Sequence, residues 1–215
     1  CESHRPDLAV AFLEKRGEEF VQEVYAQIAA ALLKGGPIDG FMIETANTWP
    51  EVLCAVAAVE DQGADLPLII SRQGMMMHPA TLEPQPQMGA KLARYALDLK
   101  TGPRQLPIEA FGFNCAPPED IIAALDAVCD AGLDTELADA GIGLTAYANI
   151  IDADIFSGEY DMSECDGGKV LGVRPDMAGG AGYLRACDEF IARGVTHCGG
   201  CCETTPEQIA ALAQR

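Results

Sequence analysis

Apolar and polar positions along the chain alternate between two periods, and the switches mark out its elements. From about Glu18 to Leu33 the spacing is helical, and Gly35-Gly36 stops it. Asp39–Glu44 is a short apolar run ending in a carboxylate, the pattern of a buried strand. The next helix has Thr48 as N-cap, Pro50 in its first turn and Glu51 at the capping-box position. Leu66–Ser71 reads as a second strand, followed by a Pro/Met-rich loop through Met88 and a helix from about Gly89 to Leu99. Ile108–Asn114 predicts a third strand. The helix opening at Pro117-Pro118-Glu119 puts Ile121, Ile122, Leu125, Val128 and Cys129 on one face, a core-facing stripe. Ile142–Asn149 predicts a fourth strand, with a Gly/Asp-rich irregular segment after it through Gly180. A helix over about Tyr183–Arg193 then leads to a fifth strand, Val195–Cys201. The last helix opens on Thr205-Pro206-Glu207-Gln208, a second capping box.

Strand and helix therefore alternate five times, which predicts parallel strands joined by right-handed crossovers in one domain spanning residues 1–215. No Gly-rich phosphate-binding turn follows any strand. Polar and cysteine residues collect instead where strands end: Glu44, Ser71, Asn114-Cys115, Tyr147 to Asn149, and Cys201-Cys202. Several strand ends feeding one site is the signature of the C-terminal face of a (β/α)8 TIM-type barrel.

Composition narrows the partners. A formal charge of −19 repels nucleic acid and anionic membranes alike, and no apolar run is long enough to span a bilayer. With no signal peptide in view, the expected setting is cytoplasmic. Composition says nothing about oligomeric state. The 9 cysteines are odd in number and irregularly spaced, unlike a secreted disulfide framework. Cys54, Cys129 and Cys187 fall in apolar helical patterns and read as small core residues.

Cys115 ends one strand in Gly112-Phe113-Asn114-Cys115, and Cys201 and Cys202 end another in Gly199-Gly200-Cys201-Cys202. Over one barrel rim these three thiolates would leave a tetrahedral zinc with one open position, the arrangement of a catalytic site. The two glycines are expected to let the backbone turn tightly before the cysteine pair. Cys198 forms a C-x-x-C with Cys201, which permits a redox pair; without a second such motif, core packing is the better reading. His197 is then expected to face the helices. Met75-Met76-Met77-His78 and the segment after Asp152 are candidate pocket-lining and lid segments.

The combination Gly-Phe-Asn-Cys-x-Pro-Pro-Glu with Gly-Gly-Cys-Cys-x-Thr-Thr-Pro-Glu resembles the signature of the homocysteine S-methyltransferases, as do Glu44-Thr45 and Tyr147-Ala148-Asn149. The resemblance runs from about Val21 to the C-terminus, and the strands match the family's fourth to eighth. The Asp-Gly-Gly-x-x-Thr motif of the family's first strand is not found, so the resemblance implies an N-terminally truncated barrel with two open sheet edges. Ala148 stands where the family commonly has proline, and Glu203 where it often has glycine. The implied activity is zinc-dependent transfer of a methyl group to homocysteine, giving methionine. The donor would be a sulfonium such as S-methylmethionine, with betaine or a methylfolate as alternatives. A non-catalytic zinc-binding fragment and a thiol-redox protein are the rival classes. By the family pattern Cys115, Cys201 and Cys202 hold Zn2+, Glu44 holds the substrate ammonium, and Asn114 and Asn149 position ligands or substrate.

Overall fold

The structure, a computed structural model, describes residues 6–63, 65–76, 78–81, 84–151 and 172–215. Most of the candidate lid (152–171) and Met77 therefore lie outside the described residues. The elements run α1 (Pro6–Arg16), α2 (Glu18–Gly35), β1 (Phe41–Ala46), α3 (Trp49–Asp61), β2 (Leu68–Gln73), α4 (Met88–Thr101) and β3 (Ile108–Asn114). They continue with α5 (Pro118–Asp130), α6 (Leu133–Asp139), β4 (Gly143–Ala148), α7 (Ala181–Ala192), β5 (Val195–Gly200) and α8 (Pro206–Leu212). All five predicted strands form, and they pair in parallel in the order β1-β2-β3-β4-β5. Among the described residues β1 and β5 are edges and do not pair with each other. The sheet curls nonetheless: the Tyr147 hydroxyl of β4 lies 3.5 Å from the Met42 sulfur of β1.

Helices cover the convex face. Phe41 and Ile43 of β1, Leu68 and Ile70 of β2, and Ile108, Phe111 and Phe113 of β3 are buried in one core with Val52, Leu92, Ile121, Leu125 and Phe190 from the helices. A register shift between the pairs Leu68↔Ile108 and Ile69↔Ala110 puts Ile108 and Phe111 into the same core although they are three residues apart. Phe111 and Phe113 then meet edge to face at 5.4 Å. Gly112 between them has no room for a side chain, since a Cβ there would stand 1.8 Å from the Thr145 carbonyl oxygen.

Four details depart from the pattern reading. The charged segment before residue 17 forms α1, with Ala9 fully buried and Phe12 6.2 Å from Phe20 of α2. Helix α6 has only seven residues, too short to register as a period, but it buries Leu133 and Leu137. Met75 and Met76 are buried in the main core rather than lining a site. Thr48 caps α3 through the Glu51 amide, but the Glu51 carboxylate accepts from the Asn47 amide (3.0 Å) and the Tyr25 hydroxyl (3.0 Å) instead of closing a capping box. At α8 the Thr205–Gln208 box closes in both directions.

These two local features scale differently. Thr205→Ala, which removes a cap, should cost about 1 kcal/mol in urea unfolding. Gly112→Ala, which forces β3 from β4, should cost about 3 kcal/mol or more. A Gly112→Ala chain as stable as the parent would contradict the close approach of β3 to β4 at Thr145.

Candidate metal centre

Because the strands are parallel, their C-terminal ends share one rim. Cys115 follows β3, and Cys201 and Cys202 follow β5; the end of β4 lies between and ties both turns down. The Tyr147 carbonyl accepts from the Cys115 amide at 3.0 Å, and the Ala148 carbonyl accepts from the Cys201 amide at 2.9 Å. In the other direction Asn149 donates its amide to the Ala116 carbonyl (3.0 Å), and Ile150 to the Cys202 carbonyl (3.2 Å). Four backbone hydrogen bonds thus bring together cysteines more than 80 residues apart in sequence.

The three sulfurs lie within 4.8 Å of one another, the one such group of possible metal ligands among the described residues. Cys115 Sγ is 3.6 Å from Cys202 Sγ, and Cys201 Sγ is 3.9 Å from Cys202 Sγ. None of the three is disulfide-bonded, and these separations are far from the roughly 2 Å of such a bond. Two sulfurs on a tetrahedral zinc with bonds of about 2.3 Å sit about 3.8 Å apart, so the spacing fits such an ion. Cys115 is buried, Cys201 half-buried and Cys202 exposed, so the cluster opens toward solvent on one side.

Crowding dominates its electrostatics. Hydrogen bonds with Cys201 and Cys202, then burial, push the Cys115 thiol well above its ordinary range. For Cys201 the bond with Cys115 favours the thiolate, but the bond with Cys202 together with burial outweighs it and the net shift is upward. Three adjacent thiols resist ionising together unless a cation neutralises them.

The backbone around the cluster is strained. Cys115 (φ 51°) and Glu203 (φ 63°) are in the left-handed region that favours glycine, as is Thr45 (φ 54°) after Glu44. The tight turn at the cysteine pair therefore falls on Glu203, the position where glycine was expected by resemblance, and not on Gly199 or Gly200. Gly200 serves a different need: a Cβ there would come 2.2 Å from the Thr204 side chain.

Glu44 is exposed on the concave side of the sheet. It shares with Met42, Ile69, Tyr147, Gly199 and Gly200 a groove of about 430 Å³, a size suited to a small molecule. Burial raises the pKa of Tyr147, a hydrogen bond with Ser71 opposes the shift, and the nearby Glu44 carboxylate adds to it. Asn149 is buried beside the cysteine turns, and its side-chain nitrogen has no hydrogen-bond partner. Asn114 is fully buried and engaged with Thr45 and Ser71.

His197 lines this same groove and stands 3.9 Å from the Glu109 carboxylate, so it does not face the helices. The reason is that Cys198 packs against Tyr183 and Cys187 on the helical side, and alternation turns His197 the other way. Cys198 accordingly neighbours Cys187 rather than Cys201. The apolar pattern ends β2 at Ser71 and so misses Arg72, through which the strand continues. A charged residue extending an apolar run was the available signal.

A sequence profile of the homocysteine S-methyltransferases matches residues 9–215. The chain belongs to the homocysteine S-methyltransferase family. No curated protein matches it. Among solved structures it is similar to the oxidized form of the homocysteine methyltransferase MmuM from Escherichia coli, at 23% identity and a TM-score of 0.51. That likeness covers 90% of this chain but 52% of the neighbour, so the chain spans about half of the neighbour's length and the two share a fold. No helix among the described residues is long and apolar enough to cross a membrane.

With the Cys115 and Cys201 thiols pushed up by crowding and burial, metal uptake at this cluster must release protons. Zinc affinity should therefore rise with pH between about 6 and 8, by up to about tenfold per unit for each proton released. Competition against a chromophoric chelator reads this directly, and a flat profile would contradict metal binding at these cysteines.

Proposed function

We propose that this chain carries the metal- and homocysteine-binding part of an enzyme that methylates homocysteine to methionine. The observation that carries the reading is the set of three sulfurs at tetrahedral spacing, open on one side and adjacent to a groove containing Glu44. In this reading Cys115, Cys201 and Cys202 hold Zn2+, which when bound supplies a Lewis acid that keeps the substrate thiol ionised at neutral pH. The five strands are the fourth to eighth of a (β/α)8-type barrel, whose C-terminal rim carries the site.

The chain's own residues do the rest. The Glu44 carboxylate binds the homocysteine ammonium. The unpartnered Asn149 amide donates to substrate, because a buried N–H without an acceptor is costly unless a ligand supplies one. Asn114 fixes the strand end that carries Glu44. The cysteines bring three negative charges to a divalent ion, so the attacking sulfur stays electron-rich. That sulfur forms a bond to the donor methyl carbon as the donor's own carbon–sulfur bond breaks, and the electron pair stays on the departing sulfur. A cationic sulfonium such as S-methylmethionine leaves as a neutral and very weakly basic thioether, a better leaving group than the amines that betaine or a methylfolate would release, which favours it as donor. The odd number and irregular spacing of the 9 cysteines, unlike a secreted disulfide framework, favour a reducing, cytoplasmic setting.

The test is methionine formation from homocysteine and methyl-labelled S-methylmethionine. Zinc-loaded chain should transfer label, and Cys115→Ser should lose both zinc and transfer. Glu44→Gln should keep zinc but raise the homocysteine KM about tenfold or more, the loss of a charged hydrogen bond. Zinc binding without transfer from any of the three donors would favour the second reading, a non-catalytic zinc-binding part of such a barrel, which the unpaired edges of β1 and β5 among the described residues support. Absence of zinc binding would overturn both.

A further inference from the structure

Strand β1 breaks its pairing at the site. Ile43 pairs with Ile70 but Ala46 with Arg72, so Glu44 and Thr45 together oppose the single residue Ser71. This is a β-bulge, and its turning residue is Thr45, with a φ of 54°. Bulges re-aim side chains, and a glycine is the usual occupant of such a conformation. A β-branched residue persists there only where its surroundings over-determine it.

One side chain does so. The Asn114 carbonyl oxygen accepts the Thr45 amide (3.2 Å), and its nitrogen donates to the Thr45 hydroxyl (2.6 Å). The same oxygen accepts the Ser71 hydroxyl at 2.9 Å, so the amide spans the ends of three strands. Beyond the bulge, the buried Arg72 guanidinium donates to the Ala46 and Asn47 carbonyls. Burial lowers its pKa to about 10, partly countered by Glu51, so it stays charged at neutral pH. Asn114 also directly precedes Cys115, whose own φ of 51° needs the same kind of support.

We propose that Thr45 is a positioning residue: clamped by Asn114, it fixes the bulge that aims Glu44 into the groove, and so sets recognition of the substrate ammonium. The clamp joins two groups that must act on opposite ends of one small molecule, Glu44 on its ammonium and the cysteine cluster on its thiol. The inference rests on the roles assigned above to Glu44 and the cysteines.

Cobalt(II) in place of zinc gives a reading independent of turnover, because its absorption shifts when a further thiolate binds. Two thiols are titrated: homocysteine, and 4-mercaptobutyrate, which is homocysteine without its amino group. Thr45→Val keeps the side-chain shape but removes the hydroxyl. It should weaken homocysteine up to about tenfold, as expected for one lost, part-buried hydrogen bond, leave 4-mercaptobutyrate unchanged, and still bind one cobalt per chain. Thr45→Ser should restore homocysteine binding to within about twofold, because it keeps the hydroxyl. Should Thr45→Val not fold, Ser71→Ala removes one bond from the same amide and should weaken homocysteine selectively by about threefold. Equal weakening of both thiols, or of neither, overturns the clamp while leaving the homocysteine reading intact. If parent cobalt protein shows no response to homocysteine, the homocysteine reading fails and the clamp's role fails with it.

Discussion

The carbonyls of Tyr147 and Ala148 and the amides of Asn149 and Ile150 are the hinge on which the site depends. These groups at the end of β4 bond to the turn after β3 on one side and the turn after β5 on the other. A parallel sheet ends all its strands at one rim, but pairing alone would stop at Asn114 and Gly200. Continuing the backbone hydrogen bonding two residues past β3 and β5 carries Cys115, Cys201 and Cys202 into mutual contact. The strain at Cys115 and Glu203 is the cost of turning both chains inward at that point, and the β4 bonds hold it in place.

The two faces of the sheet divide stability from chemistry. In a curled parallel sheet the concave face would ordinarily be filled by large apolar side chains. Here it carries Glu44, Glu109, His197 and Tyr147 around a groove, while the large side chains Phe111, Phe113, Ile43 and Ile70 go to the helices. Gly112, small enough to let β3 and β4 close up, allows the rim to be tight where the cysteines meet.

Much of this was legible in the sequence because local signals and the fold agree. Five apolar runs between helical segments give five parallel strands, and the cysteines follow the strand ends they were read as ending. What escaped the sequence was set by tertiary contacts. The charge of the first helix hid the small apolar stripe around Ala9 and Phe12. His197 and Cys198 differ in facing by one residue, and only the packing of Tyr183 and Cys187 decides between them. The bulge at Thr45 has no sequence mark, since threonine is a rare occupant of a left-handed position and its stabilising partner lies 69 residues away. Arg72 was hidden for a related reason: its acceptors are backbone carbonyls, which carry no residue identity.

The central claim is that three cysteines bind one metal ion and leave a position for the substrate sulfur. X-ray absorption at the zinc edge of the loaded chain tests it most directly. The account predicts a shell of three sulfurs at about 2.3 Å with one lighter ligand, changing to four sulfurs when homocysteine is added. A shell with fewer than three sulfurs, or one that homocysteine leaves unchanged, would contradict it.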